Sequence, residues 1–173
     1  MCAGITLYSP LNHWNAGPGK TVGIIGFGGL GHMGVKLAKA LGSEVTVFSQ
    51  TNSKKELGFQ LGADDYVATS DPDVFSRLSQ KFDIIINTVS AEIPLDLYLS
   101  CLGATLRISP HSLYARRIGV NGSMIGGIAE TQKMLDLCGE KLIFPEIETI
   151  PASYIDEAYE RVMKSQSRTS GLK

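Results

Sequence analysis

The sequence predicts an α/β fold built on a doubly wound parallel sheet, and three observations carry that expectation. Short apolar runs alternate with segments of helical length and helical periodicity, the pattern of strands joined by crossover helices. Phe82-Asp83-Ile84-Ile85-Ile86-Asn87 is an apolar run of the kind that forms strands covered on both faces. Two helical segments end alike, at Leu41-Gly42 and Leu61-Gly62, where glycine accepts the positive φ of a helix end.

Taken in order, Pro18-Gly19 is a turn that launches a first strand, Val22 to Ile25. A helix follows from about Gly29, with apolar positions at Leu30, Met33, Gly34, Leu37, Ala38 and Leu41 on one face and Lys36 and Lys39 elsewhere. The second strand is Glu44 to Phe48 and the second helix about Asn52 to Leu61. Gly58 inside that helix should cost about 1 kcal/mol relative to Ala. Tyr66 to Thr69 gives a short strand, Asp71 to about Gln80 a third helix, and Phe82 to Asn87 the fourth strand. A helix from about Pro94 to Leu102 and a strand from Ala104 to Ile108 follow. Further on, Ile118 to Ile128 is apolar and punctuated by glycine, Glu130 to Cys138 reads as a helix, and Ile147 to Ile150 as a strand. Ser153 to Lys164 reads as a last helix, with Ser153 as N-cap and Asp156-Glu157 in its first turn. The polar tail from Ser165 to Lys173 is expected to be loose.

Composition narrows the function classes. A chain of 173 residues with 43% hydrophobic content has material for one full core. Its net charge of −1 points to neither nucleic acid nor an anionic membrane as partner. No apolar run approaches the roughly 20 residues of a membrane span, and no charged region followed by an apolar one opens the chain as a secretory leader would. Three widely spaced cysteines do not make a disulfide framework. These features predict a cytoplasmic protein.

Gly26-Phe27-Gly28-Gly29-Leu30-Gly31 lies between the first strand and the first helix, the order that binds a dinucleotide pyrophosphate. Each glycine has a physical reason: Gly26 for the tight turn, Gly28 for close approach of backbone to phosphate, and Gly31 for close packing of helix on strand. The first helical turn, with Gly29, Leu30 and Gly31, offers unpaired N–H groups and a positive partial charge. The fold is therefore read as a Rossmann-type, NAD(P)-binding domain. The bland alternative is a strand-to-helix turn without a ligand. Gly19-Lys20-Thr21 resembles the end of a Walker A loop, but Trp14 stands where its first glycine belongs and a strand follows instead of a helix.

In such sheets a carboxylate at the end of the second strand bonds the ribose hydroxyls of NAD and repels the extra phosphate of NADP. Here that position runs into Ser49-Gln50-Thr51-Asn52-Ser53-Lys54-Lys55, with no carboxylate before Glu56. Ser49, Thr51 and Ser53 can donate hydrogen bonds, and Lys54 or Lys55 can supply charge to a dianionic 2′-phosphate. NADP is predicted over NAD; the alternative is a polar helix start with an exposed basic pair.

Several separated segments together resemble one family. Cys2 to Leu11, Gly17-Pro18-Gly19-Lys20, Gly26 to Lys36, Leu61-Gly62-Ala63-Asp64-Asp65-Tyr66 and Gly126-Gly127-Ile128-Ala129-Glu130-Thr131 are similar to zinc-dependent medium-chain alcohol dehydrogenases of the cinnamyl-alcohol dehydrogenase type. The resemblance runs to about Lys164. It implies hydride transfer between NADP and a primary alcohol or aldehyde, with Cys2 as one ligand of a catalytic zinc. It implies that Thr88-Val89 lie along the cofactor, that Ser123, Met124 and Ile125 flank its nicotinamide end, and that an edge strand, 118–128, pairs with its twin in a homodimer. For each of these positions the plain reading, a packing cysteine or an apolar strand with its exit turn, stays open.

The same resemblance implies a three-part organisation. Residues 1–18 lead in from a catalytic domain, 19–150 form the dinucleotide-binding domain, and 151–173 are a helix and tail that turn back toward the catalytic domain. The resemblance places the remaining zinc ligands and the proton relay outside this chain; within it, Cys101 and Cys138 are not at metal-binding spacing, and His13, His32 and His111 are isolated along the sequence. His32 is read as a helix-start residue near the phosphates. The stretch between Leu106 and Arg116 is shorter than in the family, and Ser165 to Lys173 lacks the returning strand. The chain alone is therefore expected to be inactive. Two rival readings are a regulatory nucleotide-binding module and a zinc-free quinone reductase of the same superfamily.

Overall fold

The computed structural model describes residues 2–103 and 120–163, divided into two compact units, Met1–Ile143 and Phe144–Lys173. In the first unit, α1 (Cys2–His13) precedes β1 (Thr21–Ile25), α2 (Gly29–Ala40) and β2 (Glu44–Ser49). A 3-10 turn (Asn52–Lys54) opens α3 (Lys55–Gln60), followed by β3 (Asp65–Ala68), α4 (Val74–Arg77), β4 (Ile84–Asn87), α5 (Leu95–Ser100) and α6 (Ile128–Glu140). The second unit holds a 3-10 turn (Ala152–Tyr154) and α7 (Ile155–Met163).

All strand pairs are parallel and the sheet order is β3-β2-β1-β4, so the expected doubly wound fold is present. Alternate residues face opposite layers. Val22, Ile24, Val45, Val47 and Tyr66 pack with Ile5, Leu7 and Leu11 of α1, Val35 and Leu37 of α2, and Met134 of α6. Ile25, Phe48, Val67 and Phe82 pack on the other side with Val74, Leu78, Tyr98 and Cys101. Gly42 and Gly62 end their helices at φ 97° and φ 102°, as the paired Leu-Gly endings predict.

The amino ends of the strands are tied by charged groups. Asp83 accepts hydrogen bonds from the Thr21 N–H (2.9 Å) and from Lys20 Nζ (3.0 Å). Asp64 accepts from the Val45 N–H (2.8 Å) and Lys39 Nζ (2.6 Å), and Lys81 pairs with Glu44. Lys20 is thus committed to strand anchoring, in keeping with the rejection of a Walker A loop.

Several elements depart from the sequence expectation. Gly58 is buried rather than a mere weakness in the helix: a Cβ there would lie 2.5 Å from the Tyr66 ring, so packing outweighs propensity. The helix expected from Asp71 to Gln80 shrinks to Val74–Arg77, because the Asp71 carboxylate takes the Asp73 N–H (3.0 Å) in a local turn and Gln80 has φ 58°. β4 is half-buried instead of fully covered, since it is the last strand of the sheet among the described residues. The expected strand Ala104 to Ile108 lies outside the described residues, as does the Leu106 to Arg116 segment.

The strand expected over 118–128 does not form across its described part. Val120 to Gly127 make no ladder, Ile125 has φ 32°, and Ile128 opens α6. Positive φ and three glycines, Gly122, Gly126 and Gly127, work against an extended run. Ile147 to Ile150 also forms no strand, having no ladder neighbour among the described residues. Ser153 is not an N-cap: it lies inside the 3-10 turn that Pro151 introduces with φ −68° and ψ 152°. Asp156 and Glu157 do stand in the first turn of α7, and Arg161 there makes a two-pronged ion pair with Glu148 (2.7 and 3.2 Å).

Candidate functional site

The chain reverses its winding between β1 and β4: β1 connects to β2 on one side, and β3 connects to β4 on the other. A crevice at the carboxyl ends of two such strands is where open α/β sheets bind ligands. The glycine turn sits at that point. Gly26 leaves β1 at φ 91°, a conformation closed to most side chains, and its N–H bonds the Phe48 carbonyl at 2.8 Å. Space also requires glycine there, since a Cβ would lie 2.6 Å from Val89 Cγ2 and 2.9 Å from Thr88 Oγ1. A Cβ on Gly31 would overlap the Gly26 carbonyl oxygen, whereas one on Gly28 or Gly29 would meet nothing within 4 Å. The turn is therefore closed on its helix side and open above Gly28.

No side chain caps the start of α2 at Gly28. The amides of its first turn consequently keep their donor capacity for a ligand. Leu30 is partly exposed beside them and His32 packs edge-on against Phe27, ring centroids 4.3 Å apart. On the β4 side, Thr88 donates from its N–H (3.0 Å) and its hydroxyl (2.8 Å) to the Ile25 carbonyl. The Asn87 amide brackets Val89, donating to its carbonyl (3.2 Å) and accepting from its N–H (2.9 Å). Thr88 and Val89 are thus held rigidly against Gly26.

On the β2 side, Ser49 ends the strand and Thr51 caps the 3-10 turn, accepting from the Ser53 N–H. The Thr51 and Ser53 hydroxyls are 2.9 Å apart and both residues are exposed. Lys54 follows in the same turn, while the Lys55 ammonium lies 5.8 Å from the centre of the Phe59 ring, which favours Lys54 as the cation for an anion here. Ser123 lines a cleft of about 910 Å³ shared with Leu30, Asn87 and Thr88. Met124 and Ile125 are exposed in the same segment.

Sequence reasoning passed over three residues of this site. Phe27 is buried despite its place among glycines, Asn87 clamps the turn after β4, and Tyr66 packs under both Phe27 and Gly58. A polar residue closing an apolar strand was the available signal for Asn87; nothing local singled out the other two.

The residues fit a dinucleotide and do not by themselves fit a metal. Cβ-free backbone at Gly28 and Gly29 and an uncapped helix start suit a pyrophosphate. Cys2 is exposed, with Thr6 Oγ1 3.9 Å away as its polar neighbour. No group of three His, Cys, Asp or Glu side chains is placed to hold a metal ion among the described residues, while zinc takes three or four protein ligands.

Comparison with known proteins agrees with this geometry. A family model described as zinc-binding dehydrogenase matches residues 29–109. The chain is 54% identical to NADP-dependent alcohol dehydrogenase C 1 of Mycolicibacterium smegmatis, covering 97% of this chain and 52% of that protein. It is 47% identical to aldehyde reductase YahK of Escherichia coli, over 95% of this chain and 51% of the relative. Among solved structures, a cinnamyl alcohol dehydrogenase of Sorghum bicolor superposes with a TM-score of 0.84 at 34% identity, covering 95% of this chain and 51% of its own. The chain spans about half the length of the relatives it matches. With its parallel sheet, glycine turn and switch-point crevice, the chain carries a match to the zinc-binding dehydrogenase domain and is similar, over about half their length, to alcohol dehydrogenases that include the cinnamyl-alcohol dehydrogenase type.

Proposed function

We propose that this chain is the cofactor-binding half of an NADP-linked alcohol dehydrogenase or aldehyde reductase. The observation that carries the reading is the glycine turn at the switch point, with an uncapped helix start on one side and hydroxyls plus Lys54 at the end of β2 on the other. The first-turn amides of Gly29, Leu30 and Gly31 hold the pyrophosphate, while Gly26 and Gly28 keep side chains out of its way. Ser49, Thr51, Ser53 and Lys54 take the 2′-phosphate, and no carboxylate stands between Ser49 and Lys55 to repel it. Thr88 and Val89 support the cofactor on its other side, with Ser123, Met124 and Ile125 toward the nicotinamide. When bound, NADPH supplies the hydride that converts an aldehyde to a primary alcohol, and the oxidised form accepts it in reverse.

Zinc ligation is part of the proposal for the whole enzyme only. Cys2 would be one ligand of three, and no group of three metal-ligating side chains forms among the described residues. The chain alone is expected to bind coenzyme and turn nothing over. No helix among the described residues is long and apolar enough to cross a membrane. A cytoplasmic setting is supported by three free cysteines, and a homodimer by the exposed apolar side chains Val120, Met124, Ile125 and Ile128 in the 118–128 segment.

Titration with NADPH and NADH tests the reading, followed by intrinsic fluorescence and by melting temperature. Tighter binding of NADPH is expected. Tighter NADH binding removes the NADP assignment, and no response to either coenzyme from a folded chain removes the function.

A further inference from the structure

Two hydroxyls among the described residues, those of Thr46 and Tyr66, are buried without a hydrogen-bond partner. A buried hydroxyl that makes no bond gives up its hydration for nothing, so each such group asks for a physical reason. Tyr66 is only 1% exposed and belongs to the site by position. Its ring meets Phe27 of the glycine turn edge-on, centroids 5.5 Å apart. On the α3 side it fills the space left by Gly58, immediately after the 3-10 turn that carries Thr51 to Lys54.

Strand register fixes what the phenol can reach. Tyr66 pairs with Val47 and Ala68 with Ser49, so Tyr66 and Ser49 leave the sheet on one face as diagonal neighbours. Burial pushes the phenol pKa up, and the Ser49 side chain is close enough to draw it partly back. The two nevertheless form no hydrogen bond as they stand. A buried donor therefore sits beside the last residue of β2 with its proton uncommitted.

We propose that Tyr66 is a positioning residue that favours NADPH over NADH by acting through Ser49. This rests on the reading that the end of β2 receives the 2′-phosphate. When the Ser49 hydroxyl donates its proton to a phosphate oxygen, its own oxygen accepts from the Tyr66 O–H. The chain of donors runs from phenol to serine to anion, and each bond polarises the next. A ribose hydroxyl carries no charge and can serve as donor or acceptor, so NADH does not hold Ser49 in the orientation that Tyr66 completes.

The test is titration of the wild-type chain, Tyr66→Phe, Ser49→Ala and the double variant with NADPH and with NADH, alongside melting temperatures without coenzyme. Tyr66→Phe is expected to weaken NADPH binding about three- to tenfold and leave NADH binding unchanged. It should not lower the melting temperature, because it deletes a hydroxyl that bonds nothing in the free chain. On the Ser49→Ala background it should cost no further NADPH affinity. Equal weakening toward both coenzymes, unchanged NADPH affinity, or full additivity with Ser49→Ala would overturn the proposal. A wild-type chain that binds NADH at least as well as NADPH would instead show the underlying reading to be wrong and take the proposal with it.

Discussion

Gly31 stands against the carbonyl oxygen of Gly26 so closely that a β-carbon on it would overlap that oxygen, whereas a β-carbon on Gly28 meets open space. The two glycines therefore do different work. Gly31→Ala should destabilise the chain by about 1–3 kcal/mol, as forced overpacking does, and weaken NADPH binding through the displaced helix start. Gly28→Ala should leave the denaturation midpoint nearly unchanged while weakening NADPH binding, because its methyl would occupy the path of the pyrophosphate. Urea titration with and without NADPH separates the two; equal stability of the two variants would contradict this account.

Gly58→Ala sets helix propensity against packing. Propensity favours alanine by about 1 kcal/mol, yet the new methyl would stand 2.5 Å from the Tyr66 ring. Overpacking at about 1–3 kcal/mol wins, so a net loss of stability is expected in chemical denaturation, and a stabilised variant would refute it.

Acid stability should depend on Asp83 and Asp64. Bonding to the Thr21 N–H, against some burial and with help from Lys20, holds the Asp83 carboxyl below its ordinary value. Burial alone would raise Asp64, but the Lys39 hydrogen bond, the Val45 N–H and the charges of Lys39 and Lys81 bring it down. A carboxyl whose pKa is lowered by folding contributes stability that is full above the unfolded value of about 3.9 and fades as pH falls through the folded one. Asp83→Asn should lower stability at neutral pH and flatten its loss below about pH 4. An acid limb identical to wild type would show that Asp83 does not carry it.

Thiol reactivity should rank with burial. Cys2 is exposed, Cys138 is half-buried and Cys101 is fully buried, and burial pushes the thiols of Cys101 and Cys138 up. A disulfide reagent should label Cys2 first and Cys101 only on unfolding. Early labelling of Cys101 would contradict the packing described for the α5 side of the sheet.

Metal analysis of the purified chain should find no stoichiometric zinc, since no three His, Cys, Asp or Glu side chains come together to hold a metal among the described residues. One tightly held zinc per chain would require a site that Cys2 alone does not explain.

Much of the fold was legible because its punctuation is local. Gly26, Gly42 and Gly62 mark a turn and two helix ends through a φ that side chains resist, and the periodicity from Leu30 to Leu41 fixes the face of α2. The elements misread were those decided by competition. Asp71 diverted a helix start into a turn, Ile125 broke an apolar run, and Gly58 looked like a flaw until Tyr66 filled the space it leaves. In the candidate site the glycines and the hydroxyl-rich end of β2 were visible in sequence order. Asn87 and Tyr66 were not, since their parts depend on which strand ends meet across the sheet.

The charged ties of Lys20 with Asp83, Lys39 with Asp64 and Lys81 with Glu44 all gather at the amino ends of the strands, at the other end of β1 and β2 from the glycine turn and the hydroxyl-rich turn after Ser49. The ties are thereby separate from the exposed turn of Thr51 to Lys54. Redesign of coenzyme choice, for instance by placing an acidic side chain at Thr51, can proceed on an exposed turn without disturbing the contacts that hold the sheet in register.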